Sequence, residues 1–146
     1  MGIVIIGIHL KNIFTEVGSA DFVHSFFSTI SFHLEPDGWG TRFPELMNHL
    51  YQGRLEPAMA AEALAQARTC KGALQTLDPD RVVWDIDRIH LKPPWRDEIP
   101  STVTSLANYH RTVNGLVLMD ALIDILDYQV SCQEPIRIGS FEALVK

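Results

Sequence analysis

The sequence predicts an α+β fold, in which a small, mostly antiparallel sheet packs on one face against three or four helices. A short apolar run near the N-terminus, rich in isoleucine and valine, is typical of a buried strand. Several later segments repeat apolar residues at helical spacing, which predicts amphipathic helices. Strand-like and helix-like segments do not alternate regularly, which argues against a parallel doubly wound sheet. The 146 residues lack a long linker, so we expect a single domain spanning 1–146.

The N-terminal part of the chain is predicted to hold one strand and one long helix. Residues 2–10 form the apolar run, and a turn is expected at Val17–Ser19. Ser19 is suited to cap a helix, because its hydroxyl can accept a free backbone N–H of the first turn. Phenylalanines and other apolar residues then recur at helical spacing over 20–34, and Pro36 ends the helix.

The middle of the chain predicts two further helices. A short one begins at Pro44, whose missing N–H costs nothing in a first helical turn, and ends at Gly53. A long one spans about 56–77, where frequent alanine favours helix and allows close packing. Its inward stripe is expected to comprise Met59, Ala63, Ala67, Cys70, Leu74 and Leu77.

The C-terminal half predicts two strands, a helix and a last short β-like segment. Residues 81–87 alternate apolar and charged side chains from Trp84 onward, as a half-exposed strand does. Residues 102–112 contain valine, threonine and tyrosine, which favour a second strand. Residues 116–131 predict a helix, and 135–138 are β-like.

The charge balance restricts the partners that the chain can bind. Eighteen acidic residues against twelve basic ones leave a formal net charge of −6, which argues against a general nucleic-acid binder. An acidic surface can instead steer association with a basic protein. The N-terminal apolar run lacks the basic region and the cleavage site of a signal peptide, and it is too short to span a bilayer. We therefore expect a cytoplasmic protein that binds neither nucleic acid nor membrane.

Common motifs for catalysis and cofactor binding are absent from the sequence. The phosphate-loop pattern GxxxxGKS/T, the dinucleotide pattern GxGxxG and the nucleophile pattern GxSxG do not occur. Asp85, Asp87 and His90 could converge on a metal ion, but a solvated polar strand face is the favoured interpretation. No catalytic residue, metal site or cofactor is therefore predicted. Cys70 and Cys132 lack metal-ligand spacing and are expected to be reduced thiols, with a disulfide or a reactive thiol as the alternatives.

Two tryptophans in loops are the strongest candidates for contact with another protein. Trp39 lies between two glycines, Trp95 follows two prolines, and both have charged neighbours. Tryptophan and arginine are enriched among the residues that dominate binding energy at interfaces. Glycine and proline can fix the shape of a loop, which lowers the ordering cost of binding. The alternative for each tryptophan is burial within the monomer, in which case Trp39 would fold back and pack over the first helix.

A row of aspartates marks the last predicted helix. Asp120, Asp124 and Asp127 recur at i, i+4 and i+7, so they line one side of that helix. A solvated outer face is the simplest explanation, and a stripe that receives basic residues of a partner is the alternative. The predicted contact candidates are Trp39, Arg42, Trp95, Asp97, Glu98, Asp120, Asp124 and Asp127.

Five segments of the chain carry a family resemblance. They are TEVGSADFVHSFFSTI (15–30), LEPDGWGTRFPELMNHLYQGRL (34–55), VVWDID (82–87), PPW (93–95) and TSLANYHRTVNG (104–115). With these segments the chain resembles the bacterial polymorphic-toxin immunity proteins and is close to immunity protein family seventy. The pieces GWGTRFP and VVWDI are the most specific, and the segments follow one another in the expected order over most of the chain.

The resemblance implies a small cytoplasmic protein that binds a cognate toxin domain and blocks it. The toxin would belong to a polymorphic-toxin or contact-dependent inhibition system, in which basic nucleases are common. Families of this kind are named from gene neighbourhood, so the resemblance implies no active site, and we expect a monomer or a weak homodimer. Two other functions stay open: a small metal-dependent or acid–base enzyme at Asp85, Asp87 and His90, and a self-associating structural subunit.

Overall fold

The structure, a computed structural model, describes residues 4–145. Its strands are β1 (Ile6–Leu10), β2 (Ile13–Gly18), β3 (Arg54–Leu55) and β4 (Ile136–Ser140). These strands form an antiparallel sheet in the order β2-β1-β4-β3. Its α-helices are α1 (Ala20–Leu34), α2 (Ala60–Leu74), α3 (Leu118–Cys132) and α4 (Phe141–Val145). The predicted α+β class with a small antiparallel sheet is confirmed.

The first two strands form a hairpin of which the sequence predicts only the first half. The predicted strand 2–10 is found from Ile6 onward, and its first two residues lie outside the described part of the chain. β2 then pairs with β1 after a two-residue turn in which Lys11 has a φ of 55°. The turn predicted at Val17–Ser19 is wrong at its start, because Val17 still belongs to β2. The hairpin escapes sequence analysis because its turn lacks the Asn-Gly or Asp-Gly pair that marks such turns.

The first helix begins and ends where the sequence predicts. The hydroxyl of Ser19 accepts a hydrogen bond from the backbone N–H of Phe22 at 3.2 Å, as an N-cap does. Phe26, Phe27 and Ile30 are buried in the core against the sheet and the other helices. α1 is therefore the central element on which the flanking loops assemble.

The two middle helices are present but differ from their predicted form. The short helix predicted from Pro44 is a π-helical segment, Glu45–Leu50. The helix predicted over 56–77 divides into a 3₁₀ turn at Pro57–Met59 and α2. The members of its predicted stripe that are fully buried are Ala63, Ala67, Cys70 and Leu74.

The strand predicted over 81–87 is wrong. A 3₁₀ turn at Pro79–Arg81 leads into an extended loop whose backbone bonds to side chains of α1. The N–H of Val83 donates to Thr29 Oγ1 at 3.1 Å, and its carbonyl accepts from Ser25 Oγ at 2.8 Å. Hydroxyl groups on one face of a helix thus replace a neighbouring strand as hydrogen-bond partners. We call residues 82–87 the α1-bound loop.

The strand predicted over 102–112 is also wrong. Its centre is a 3₁₀ turn, Leu106–Asn108, closed by a reciprocal cap between Ser105 and Asn108. Pairing of the β type is limited here to an isolated bridge between Arg111 and Val117. Local hydrogen bonds from serine and asparagine side chains compete with a strand ladder, and here they prevail over β propensity.

The C-terminal segment completes the sheet. The β-like stretch predicted at 135–138 belongs to β4, which lies between β1 and β3. α3 begins at Leu118, two residues after the predicted start at 116, and buries Leu122 and Leu126. Side chains of α1, α2, α3 and the sheet together form a common hydrophobic core.

Candidate protein-binding surface

A buried carboxylate determines the shape of the loop that carries Trp39. Glu35 is 3% exposed and accepts three backbone N–H groups, from Gly40 at 3.0 Å, Arg42 at 3.1 Å and Phe43 at 3.0 Å. Hydrogen bonds to an ionised acceptor are stronger than those between neutral groups. The loop that follows α1 is therefore rigid, although Gly40 adopts a φ of 78° that favours glycine.

Trp39 is half-buried and packs inward from this loop. Its Nε1 donates to the carbonyl of Met47 at 3.1 Å. Its ring lies 5.1 Å from that of Tyr51 and 6.1 Å from that of His24, measured between centroids. The neighbouring Arg42 is exposed and donates from Nη1 to the carbonyl of Leu34 at 3.2 Å. This geometry matches the plug that the sequence offered as the alternative for Trp39.

Trp95 is presented differently, with 36% of its area exposed. Its Nε1 donates to the hydroxyl of Tyr109 at 2.7 Å, and its ring meets the Trp84 ring edge-on at 5.5 Å. Phe22 of α1 lies beneath, 6.2 Å between ring centroids. A hydrogen bond and two aromatic contacts thus hold an exposed indole in one orientation, since edge-to-face ring pairs attract.

Two clefts have the Trp95 ring in their lining. One has a volume of about 330 Å³ and is lined by Phe22, Trp95, Glu98, Pro100, Thr102, Val103, Tyr109 and Arg111. The other, of about 300 Å³, is lined on its aromatic side by Phe22, Trp84 and Trp95, and also by Val17, Asp21, Arg111 and Val113. We call the residues that line these two clefts the Trp95 surface. Concave apolar sites with a few polar groups at the rim are the usual form of a binding pocket.

Two titratable groups at or beneath the Trp95 surface are uncharged at neutral pH. His110 lines neither cleft, but its ring packs against Phe22 and Tyr109 at centroid distances of 5.2 Å and 5.0 Å, and burial lowers its pKa to about 3. Burial raises the pKa of Tyr109, and the hydrogen bond donated by Trp95 lowers it by less. Tyr109 therefore keeps its proton and can donate it to an incoming group. The charged residues that line the clefts are Asp21, Glu98 and Arg111.

The structure brings some of the predicted contact residues together. Asp97 and Glu98 follow Trp95 directly in the chain, and Glu98 lines the larger cleft. Asp97 is exposed and forms an ion pair with Lys92, at 3.3 Å between Nζ and Oδ1. Glu98 thus belongs to the Trp95 surface, whereas Asp97 lines neither cleft and Trp39 belongs to a separate loop.

The aspartates of α3 are placed apart from the two tryptophan loops. Asp120 pairs with Lys71 of α2, at 2.8 Å between Nζ and Oδ1. Asp124 and Asp127 are exposed on α3. The row predicted from their spacing exists as a helix face, and its first member is already paired within the chain.

A separate cluster of polar residues lies beside Trp39 and comprises His24, Asp85, Asp87 and Tyr51. His24 Nε2 is 3.3 Å from Asp85 Oδ1 and 4.0 Å from Asp87 Oδ2. The other imidazole nitrogen, Nδ1, is 2.7 Å from the hydroxyl of Tyr51. Burial first, and then the charges of Asp87 and Asp85, raise the pKa of Tyr51, so this hydroxyl is protonated. The donor atoms of His24, Asp85 and Asp87 all lie within 4.8 Å of one another, close enough to hold a metal ion.

This cluster corrects the grouping expected from the sequence. The sequence offered Asp85, Asp87 and His90 as a possible group, with a solvated polar face as the favoured interpretation. In the structure His24 of α1 lies beside the two aspartates, and His90 is exposed beyond the α1-bound loop. His24 precedes Asp85 by 61 positions, so no local spacing could reveal the pair. Phe22, which lines both clefts, was predicted only as part of an apolar helix stripe.

Within residues 4–145, every helix is too short or too polar to cross a membrane.

The sequence was also compared with known proteins. No curated protein and no solved structure matches the chain. The family model described as immunity protein 70 matches residues 8–138, which is most of the chain. The chain therefore belongs to the immunity protein 70 family.

Proposed function

We propose that the chain neutralises a toxin domain by binding it through the Trp95 surface, without catalysis of its own. Membership of an immunity-protein family supports the toxin-neutralising role. The observation that carries the choice of surface is the exposed Trp95 ring, which is held in place by Tyr109 and lines two clefts. Central tryptophans that fill or flank pockets commonly dominate binding energy at protein interfaces.

The fixed orientation of Trp95 supports this choice. Ordering a large side chain at an interface costs about 0.5–1.5 kcal/mol, and much of that cost is met before binding when the free protein already fixes the ring. The bond to Tyr109 and the contact with Trp84 do this for Trp95. Apolar side chains of the toxin would fill the two clefts, and its polar groups would meet Glu98 and Arg111 at the rim.

Net charge favours a basic toxin. The chain carries a formal charge of −6, which attracts a basic domain such as a nuclease from a polymorphic-toxin or contact-dependent inhibition system. Steered association can reach ~10⁸–10⁹ M⁻¹s⁻¹ at low salt. Such an inhibitor would act in the cytoplasm, where rapid capture limits the damage that an incoming nuclease causes. The exposed carboxylates of Asp97, Asp124 and Asp127 would contribute to this long-range attraction.

The test uses the purified chain and its cognate toxin domain. Trp95→Ala should weaken binding by at least about 2 kcal/mol, roughly 30-fold in Kd, because it removes a ring that lines both clefts. Phe32→Ala is the matched control, since Phe32 is an aromatic side chain of α1 that is 51% exposed and lines neither cleft. Its Kd should equal that of the unmodified chain.

A second variant distinguishes a loss of binding from a loss of folding. Thr102→Arg places a long, positively charged side chain at an exposed position on the wall of the larger cleft and leaves Trp95 in place. It should weaken binding of a basic toxin at least tenfold while the thermal unfolding midpoint stays unchanged. Wild-type affinity in folded Thr102→Arg, together with wild-type affinity in any folded Trp95→Ala protein, contradicts the proposed surface.

A further inference from the structure

We infer that His24, Asp85 and Asp87 form a binding site for a divalent metal ion of the zinc type. The site lies apart from the two clefts of the Trp95 surface, and the inference does not depend on toxin binding. It also departs from the sequence analysis, which favours a solvated polar face for the two aspartates. One imidazole nitrogen and two carboxylate oxygens, with a water in the fourth position, form a donor set that zinc accepts.

The spacing of the donor atoms fits the size of such an ion. In a tetrahedral zinc site with bonds of about 2.0–2.1 Å, neighbouring donor atoms are roughly 3.4 Å apart. His24 Nε2 and Asp85 Oδ1 are 3.3 Å apart. Asp87 Oδ2 lies 4.0 Å from the same nitrogen, and its side chain is 85% exposed. Because the Asp87 side chain is exposed, it can rotate to bring its oxygen closer to the other two donor atoms and complete the three-ligand set.

The imidazole of His24 is oriented from its far side. Its Nδ1 is hydrogen-bonded to the Tyr51 hydroxyl at 2.7 Å, and its ring stacks on Trp39 with an angle of 22° between planes. These contacts direct Nε2 toward the two carboxylates. Metal-binding histidines are typically held in this way, by a hydrogen bond at the nitrogen that does not touch the metal.

Both carboxylates come from a backbone that is fixed to α1. Asp85 Oδ1 accepts the N–H of Asp87 at 2.9 Å, and Asp85 Oδ2 accepts from Arg88 Nε at 3.2 Å. The α1-bound loop is anchored on either side of Asp85, by the bonds of Val83 to α1 hydroxyls and by Ile86 N–H donating to Ser28 Oγ. His24, Asp85 and the backbone of Asp87 are thus positioned before any ion binds, and an ion would strengthen the attachment of this loop to α1.

The experiment measures zinc binding by the full-length chain alone. After treatment with a chelator and its removal, titration calorimetry with zinc chloride should show saturable binding of one ion per chain. Asp87→Asn removes a charged ligand at an exposed position and should weaken zinc binding at least tenfold without changing the unfolding midpoint of the metal-free protein. His90→Ala is the matched control, since His90 is exposed and lies outside the cluster. It should bind zinc as the unmodified chain does.

Thermal unfolding gives an independent readout of the same site. Zinc should raise the unfolding midpoint of the unmodified chain and of His90→Ala, because an ion that binds only the native state stabilises it. The rise should be lost or greatly reduced in Asp87→Asn. Absence of one-to-one zinc binding overturns the inference, as does binding that survives Asp87→Asn or disappears with His90→Ala. In each of these cases the carboxylates and His24 form only an ion-pair network, and the proposed toxin-binding surface is unaffected.

Discussion

Removal of the Glu35 carboxylate should destabilise the protein more than removal of any exposed charge. Glu35 is almost fully buried at the end of α1, and its two oxygens accept the N–H groups of Gly40, Arg42 and Phe43. Glu35→Ala leaves these donors without partners, and two of the three bonds lie in the protein interior. The loop cannot satisfy them with water unless it opens.

The size of the effect follows from the number of bonds. A hydrogen bond to a charged group contributes about 1.5–3 kcal/mol, and a buried donor left unpaired costs about 1–3 kcal/mol. Because these values overlap and the loop can relax, Glu35→Ala should lower the free energy of unfolding by about 4 kcal/mol in total. That is a large share of the ~5–15 kcal/mol that stabilises a typical domain.

Glu35→Gln should have an intermediate effect. The amide oxygen can replace Oε2, which accepts from Arg42 and Phe43, but the amide nitrogen then faces the N–H of Gly40. One bond is lost and two donors oppose each other, so the loss should be about 2 kcal/mol. The control is Asp37→Ala, an exposed position in the same loop, which should change stability by less than about 0.5 kcal/mol.

Urea denaturation at pH 7, followed by circular dichroism, measures all three variants against the unmodified chain. We expect the loss of stability to increase in the order Asp37→Ala, Glu35→Gln, Glu35→Ala. A loss below about 1 kcal/mol in Glu35→Ala would show that the three hydrogen bonds do not hold the loop.

Three further predictions concern single buried groups. Burial lowers the pKa of native His110 to about 3, so as the pH falls from 6.5 toward 3 this side chain takes up a proton only in the unfolded chain. The free energy of unfolding should therefore drop by about 1.4 kcal/mol per pH unit. Urea denaturation across this range should show that stability depends less steeply on pH in His110→Gln than in the unmodified chain. Burial raises the pKa of Cys70 to about 12, so a thiol reagent at pH 8 should label only Cys132 in the folded protein. In Cys132→Ser the remaining thiol is that of Cys70, and fast labelling of this variant would contradict the prediction. Gly40→Ala should destabilise by over about 1 kcal/mol in urea, since its Cβ would lie 2.4 Å or less from side-chain atoms of Asn48 at a φ of 78°; an unchanged midpoint contradicts it.

The parts of the fold that the sequence predicts are those fixed by neighbouring residues. Ser19 caps α1 through a bond three positions along the chain, and the aromatic residues of this helix lie one or two turns apart. The sheet class follows from the apolar N-terminal run and from 135–138, although the order of strands requires the whole fold.

The errors occur where distant residues supply the hydrogen bonds. Residues 81–87 have the alternation of a strand, but the partners of Val83 are Ser25 and Thr29, more than fifty positions earlier. Their spacing matches a helix face, and nothing local indicates that they hold an extended loop. Tertiary contacts here override a correct local pattern.

The candidate site shows the same division. The sequence predicts Trp95 as a contact residue from its loop, because proline neighbours and charged residues are local features. The clefts beside it also require Phe22 and Arg111, which reach the site from α1 and from the segment before α3. Trp39 has similar local features, yet Met47 and Tyr51 hold it inward. Sequence alone could not distinguish the two tryptophans.

The proposal that this chain binds a toxin domain through the Trp95 surface predicts which backbone amides lose access to solvent in the complex. Amide hydrogen exchange of the chain, free and bound to its cognate toxin domain, measures this loss. We expect added protection in two segments, 94–103 and 109–113, which line the clefts, with little change along the exposed face of α3. Protection confined to α3 around Asp124, with both cleft segments exchanging as in the free chain, would rule out the Trp95 surface as the binding site.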